Sequence, residues 1–139
     1  MKNTNVAWVD TGFLVALFAQ DDPLHDSATA YLKTLSHIRL YSIWPVVVES
    51  CFFLDKLGKT ALLQWIERGA LTLHEMTLKD LPAMRVILEK YSNIEPDFTD
   101  AALVALAAKH GITRILTVDQ RDFSIYRLPD GSQFERLWV

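Results

Sequence analysis

The sequence predicts an α/β fold, with a mostly parallel central sheet and helices on both of its faces. Three observations point there. Short apolar segments alternate with helical ones in the order β-α-α-β-α-α-β-α-α-β, with a final edge strand, and such alternation builds parallel sheets. The first strand, Val6-Ala7-Trp8-Val9, is apolar throughout, as a strand covered on both faces must be. The chain has 139 residues, 50% hydrophobic and 22% charged, which suits an ordered globule with a sizeable core. No repeat, low-complexity tract or linker interrupts it, so one domain over residues 1–139 is expected. Crossovers should be right-handed.

Asp10 ends the first strand, and Phe13 to Ala19 reads as a helix. Asp21-Asp22-Pro23 breaks the chain. Asp22 is placed to cap the next helix, with Pro23 in its first position. That helix runs to about Leu35 and carries His25. Ile38 to Tyr41 is a second strand. Ile43 to Leu57 is an apolar helix with Pro45 in its first turn and Gly58 at its end. Thr60 to Arg68 is an amphipathic helix stopped by Gly69. Leu71 to His74 alternates like a strand. Lys79 to Tyr91 is a helix with Pro82 in its first turn. The run from Asp97 to His110 is rich in alanine, so its helix is narrow and can lie close to the sheet. Gly111 ends it. Arg114 to Val118 is a strand, and Phe134 to Val139 is a last edge strand.

The bulk properties exclude several classes. No apolar run reaches the ~18 residues that span a bilayer. Asp10 interrupts the first apolar stretch and no cleavage-site pattern follows, so a secretory signal is not expected. A single cysteine, Cys51, allows no intramolecular disulfide and no cysteine metal cluster, which suits a reducing cytoplasm. The formal charge is -3, so no global positive field attracts nucleic acid.

Four acids carry the functional expectation. Asp10 and Asp119 end strands. Glu49 lies in the second turn of the helix after strand two, and Asp100 in the first turn of the alanine-rich helix. In a parallel sheet the strand ends share one edge, and the helices that follow strands begin there, so the four can converge. Glu49 is the most telling. A carboxylate in an apolar helix is costly to bury unless paired or metal-bound. Its i±3 and i±4 neighbours, Pro45, Val46, Phe52 and Phe53, offer no cation. Singly, each acid also has a plainer role: Asp10 and Asp97 as helix caps, Asp100 as a first-turn acid, Asp119 as a turn acid, Glu49 as a solvent-facing residue. Together they suit Mg²⁺ or Mn²⁺, hard ions that prefer oxygen ligands. Thr117 should share the face of Asp119 and orient a water or a carboxylate.

Val9-Asp10-Thr11, Val48-Glu49-Ser50, Thr99-Asp100-Ala101 and Leu116-Thr117-Val118-Asp119 resemble the four acidic blocks of PIN-domain ribonucleases, in order along essentially the whole chain. The likeness is to VapC-like toxins of type II toxin–antitoxin modules. It implies an α/β/α sandwich, Mg²⁺- or Mn²⁺-dependent cleavage of RNA, a homodimer, and inhibition by a small antitoxin protein. By that resemblance Asp10, Glu49, Asp100 and Asp119 are the catalytic metal-binding residues. Thr11, Asp97, Thr117 and Asp122 are near neighbours that would support them. Gly12 departs from the pattern, since such proteins often carry a small hydroxyl residue there.

Other features carry less. His25, His37, His74 and His110 lack metal-ligand spacing. Trp8, Trp44, Trp65 and Trp138 are scattered. There is no GxSxG elbow, Walker loop or GxGxxG. Arg114, Arg121 and Arg127 are expected near the acidic edge as candidate phosphate contacts, Arg114 and Arg121 foremost, although nearby acids balance their charge. Three alternatives stand beside the toxin reading: a stand-alone PIN nuclease, a phosphoryl-accepting receiver-like module, and a non-catalytic binding protein. A receiver needs a late strand-end lysine, and none is present beside these acids.

Overall fold

The computed structural model describes residues 5–139. Five strands form one sheet: β1 (Val6–Val9), β2 (Arg39–Ser42), β3 (Thr72–Leu73), β4 (Arg114–Thr117) and β5 (Glu135–Trp138). All neighbours pair in parallel, in the order β3-β2-β1-β4-β5. The helices are α1 (Thr11–Phe18), α2 (His25–Lys33), α3 (Trp44–Cys51), α4 (Lys56–Glu67), α5 (Leu81–Lys90), α6 (Phe98–His110) and a single turn, α7 (Asp122–Ile125). α1 packs with α2, α3 and α4, while α5 packs with α6, and the sheet lies between layers in an α/β/α sandwich. This is the expected fold class.

The order of the strands matters for function. From β1 the chain steps outward to β2 and β3, then returns to the other side of β1 for β4 and β5. The direction reverses between β1 and β4. At such a reversal the connections leave in opposite directions and open a crevice beyond the carboxyl ends of the strands. Asp10 directly follows β1, and Asp119 lies just beyond β4.

Burial explains the apolar segments. Every residue of β1 is buried, as are Ile115, Leu116 and Thr117 of β4. Trp8 is wholly enclosed, and its indole N–H donates to the Ile112 carbonyl at 3.1 Å, so the one polar atom of the ring is satisfied. In α6, Ala101, Ala102, Ala105 and Ala107 are buried together with Leu103, Val104 and Leu106. Each fully enclosed leucine or isoleucine contributes ~1.5–3 kcal/mol over an exposed one.

Several elements differ from expectation. Helix α3 stops at Cys51, and Gly58 lies inside α4, near its start. Asp55 caps α4 by accepting the Gly58 N–H at 2.7 Å. A Cβ at Gly58 would stand 2.7 Å from the Phe18 carbonyl, so glycine is there for close packing of α4 on the end of α1. Asp22 does not cap α2. It accepts the Leu24 N–H at 2.8 Å in a tight turn, and the helix begins only at His25. Strand β3 keeps just two residues of the four expected. α7, between Asp119 and the last strand, was not anticipated. Gly111, in contrast, ends α6 in the left-handed conformation, with φ of 67°, as expected.

Candidate active site

Asp10 enters the site as a cap. Its Oδ1 accepts the Thr11 N–H at the start of α1, at 2.8 Å, and its Oδ2 accepts the hydroxyl of Thr117 from neighbouring β4, at 3.0 Å. The side chain is buried. Burial pushes its pKa up to about 6, against the pull of those two hydrogen bonds, and the charges of Glu49 and Asp119 add to the rise. Capping and membership of the acidic group are therefore the same geometry.

Glu49 is half-buried and held at both oxygens. The Thr11 hydroxyl donates to Oε1 and the Thr99 hydroxyl to Oε2, each at 2.8 Å. Thr11 opens α1 and Thr99 lies in the first turn of α6, so one carboxylate ties α3 to the starts of two other helices. A search for a cation within its own helix could not find these partners, because they come from elements far away in sequence. Thr99 is a residue the sequence reading missed.

Asp100 stands in the first turn of α6. Asp97 caps that helix by accepting the Asp100 N–H at 2.8 Å, as expected, and remains exposed. Oδ2 of Asp100 accepts the phenol of Tyr126 at 3.0 Å. Burial pushes this acid up to about 8, the charges of Asp10, Asp97 and Asp119 add to the rise, and the Tyr126 hydrogen bond opposes it. Asp119 follows β4. Its N–H donates to the Thr117 hydroxyl at 2.9 Å, and its Oδ1 accepts the N–H of Asp122, the first residue of α7, at 2.9 Å. Burial raises its pKa, and the Asp122 N–H opposes that. Thr117, itself wholly buried, thus links Asp10 to Asp119 through one hydroxyl.

Asp122 comes closer to the cluster than a supporting role requires. Carboxylate oxygens of Asp100, Asp119 and Asp122 lie within 4.8 Å of one another. Asp10 adjoins them electrically, since its charge acts on Asp100 and those of Glu49 and Asp119 act on it. The donors are all carboxylate oxygens, drawn from separate elements. That set fits a hard divalent ion such as Mg²⁺ or Mn²⁺, which would also offset the repulsion among the acids.

The three arginines fare differently. Arg121 stands at the site, where its Nε donates to Oδ1 of Asp122 at 2.8 Å while most of the side chain remains exposed. Arg114 does not join the acids. It opens β4, at the opposite end of that strand from Asp119, and its guanidinium pairs with Glu135 at 3.2 Å. Arg127 turns back on the carbonyls of Ser124, Ile125 and Tyr126. His25 contacts the Ala16 carbonyl at 2.8 Å, tying α2 to α1.

Gly12 has a steric cause. A Cβ at this position would collide with Cγ2 of Val118, so the residue following Thr11 has no room for a hydroxyl side chain. Glu49 walls two shallow clefts. One of about 430 Å³ also involves Thr11, Gly12, Leu24, Phe53 and Val118. The other, of about 370 Å³, is lined by Trp44, Pro45, Val48, Phe52 and Thr99. A larger hollow of about 590 Å³, near Phe18, His25, Phe53 and Leu57, contains none of the four acids.

By sequence, no curated protein matches the chain. The fold is similar to that of the crystal structure of Mycobacterium tuberculosis VapC20, described as a toxin that cleaves the sarcin–ricin loop. The TM-score is 0.71 at 21% sequence identity, over 84% of this chain and 91% of that one. The model of the PIN domain family matches residues 7–129, a span that runs from within β1 past α7 and takes in Asp10, Glu49, Asp97, Asp100, Asp119 and Asp122. The chain belongs to the PIN domain family.

Proposed function

We propose that the chain is an endoribonuclease dependent on Mg²⁺ or Mn²⁺, and the toxin of a toxin–antitoxin pair. One observation carries the reading: the clustered oxygens of Asp100, Asp119 and Asp122, beside buried Asp10, at the crevice where the strand order reverses. Asp10, Glu49, Asp100 and Asp119 are the residues we assign to catalysis and metal binding, with Asp122 as a further candidate ligand. A bound Mg²⁺ or Mn²⁺ would supply positive charge to an attacking water and to the phosphodiester.

The protein's own part is positioning. Thr117 fixes Asp10 against Asp119. Thr11 and Thr99 fix Glu49 between α1 and α6. Holding charged groups this way before substrate arrives lowers the reorganisation needed during reaction. The VapC20 likeness supports RNA as the substrate class, and such a substrate suits a cytoplasmic protein. Among the described residues, no helix is long and apolar enough to cross a membrane.

Partners follow the same reading. Trp44, Val48, Phe52, Phe53 and Leu57 are exposed large apolar residues on and between α3 and α4. An antitoxin, or a second copy in a homodimer, would cover a surface of this kind.

The test is cleavage of a labelled single-stranded RNA by the purified chain. We expect cutting with Mg²⁺ or Mn²⁺, none in EDTA, and none with Asp10→Asn or Asp100→Asn. Undiminished cutting by either variant, or in EDTA, would defeat the proposal. For the toxin role, expression should arrest growth, and the product of an adjacent small gene should relieve the arrest.

A further inference from the structure

Tyr126 lies in none of the acidic blocks, yet its phenol contacts one of the acids at 3.0 Å. The path of the chain explains how. Thr117, at the end of β4, donates to Asp10, and Tyr126, just past α7, donates to Asp100. The segment between them carries Asp119 and Asp122. One short stretch therefore supplies two acids of its own and a hydroxyl donor to each of two acids from elsewhere.

The tyrosine ring is held firmly. It is completely buried and packs edge-on against Tyr91 at 5.1 Å and Phe123 at 5.2 Å. Phe123 in turn meets Phe134 at 5.3 Å. The following residue is pinned too, since the Arg127 N–H donates to the Tyr91 hydroxyl at 2.9 Å. A ring with this surround places its hydroxyl with little freedom. A carboxylate with one oxygen taken by a fixed donor has its rotation set. Such donors commonly decide how well ligands grip a metal.

We propose that Tyr126 is a positioning residue for Asp100, fixing that carboxylate so that it faces an ion shared with Asp119 and Asp122. The proposal rests on the metal-dependent reading above. Tyr126 touches neither substrate nor ion; it acts through Asp100.

The experiment compares the wild-type chain, Tyr126→Phe and Tyr91→Phe. Mn²⁺ binding is followed by the electron paramagnetic resonance of the free ion, and folding by thermal unfolding in EDTA. Phenylalanine keeps the ring packing and removes only the donor. Tyr126→Phe should bind Mn²⁺ about 10–100-fold more weakly. Tyr91→Phe, which keeps the ring and the Tyr126 donor and loses only the hydroxyl bonded to the Arg127 N–H, should weaken Mn²⁺ binding much less than Tyr126→Phe does. In an Asp100→Ala background, adding Tyr126→Phe should weaken binding no further, because the two act as one pair.

Wild-type Mn²⁺ affinity in Tyr126→Phe would overturn the proposal, as would a lowered unfolding temperature with unchanged affinity. Further loss in the Asp100→Ala background would overturn it too. A wild-type chain that binds Mn²⁺ but cuts no RNA would defeat the nuclease reading alone, and the Tyr126 comparison would still decide this one. A wild-type chain that binds no Mn²⁺ would defeat both.

Discussion

Thr117 donates its hydroxyl to Oδ2 of Asp10 at 3.0 Å, across the junction of the two strands at which the sheet reverses direction. The Thr117 hydroxyl oxygen in turn accepts the Asp119 N–H at 2.9 Å. Thr117→Val preserves shape but takes the hydroxyl donor from Oδ2 of buried Asp10 and the acceptor from the Asp119 N–H. Leaving such groups unpaired costs about 1–3 kcal/mol each. Urea unfolding at neutral pH should show a loss in that range, and RNA cleavage should fall about 10–100-fold. A variant as stable and as active as wild type would remove Thr117 from the account.

Acidity gives a second prediction. Burial pushes Asp10 up to about 6 and Asp100 up to about 8, from an ordinary 3.8. Both acids therefore hold a proton more tightly in the folded chain. The stability this confers is complete below the unfolded value, and fades as pH rises through about 6 for Asp10 and about 8 for Asp100. Asp80, held below the usual range chiefly by the Thr77 N–H, acts only at lower pH. Metal-free protein should thus become less stable from about pH 4 to about pH 8, with Asp10 contributing on the order of 3 kcal/mol, lost by about pH 6. His74, held below the usual imidazole range by burial, opposes part of this below its ordinary value of 6.5. Saturating Mn²⁺ should oppose the decline. Denaturation in EDTA across this range is the check, and a flat or rising profile would contradict it.

Glu49 offers a third. Its two oxygens are each held by a threonine hydroxyl, from α1 and from α6. Thr99→Val frees one of them. The carboxylate is only half-buried, so stability should drop by about 1 kcal/mol. Cleavage should suffer more, about 10–100-fold in kcat, because the relation of α3 to α6 at the site is loosened. Wild-type kcat in this variant would show that the Thr99 contact does not matter for reaction.

Gly12 and Val118 give a fourth. Since a Cβ at Gly12 would run into Val118, Gly12→Ser should destabilise by about 1–3 kcal/mol. Adding Val118→Ala, which opens the space, should recover most of that loss, as expected for residues in contact. Thermal unfolding of the two single variants and the double variant measures the coupling. Simple additivity would mean that the close approach is not what keeps glycine there.

These predictions draw unequally on sequence and structure. Asp10, Asp100 and Asp119 were legible because each marks a boundary: the end of an apolar strand, the capped start of an alanine-rich helix, the end of another strand. Their meeting then follows from parallel pairing. Asp97 and Gly111 were legible as caps for the same local reason. Glu49 was legible as an anomaly, but its partners were not. Thr11 and Thr99 reach it from other elements, and no spacing rule within a helix reveals that. Gly58 misled because a glycine after an apolar run looks like a terminus, whereas here it admits the Phe18 carbonyl. α7 is one turn long, too short for a periodic signal, and the role of Tyr126 depends entirely on where that turn ends. Arg114 shows the converse error. It adjoins the acidic stretch in sequence, yet a strand separates it from the strand-end acid, and its partner is Glu135.

The most direct measurement is anomalous diffraction from crystals of the chain soaked in Mn²⁺. The account predicts a manganese peak among the carboxylates of Asp100, Asp119 and Asp122, beside Asp10, that disappears in Asp100→Asn crystals. A fully soaked crystal with no peak there, or with an unchanged peak in the variant, would contradict it.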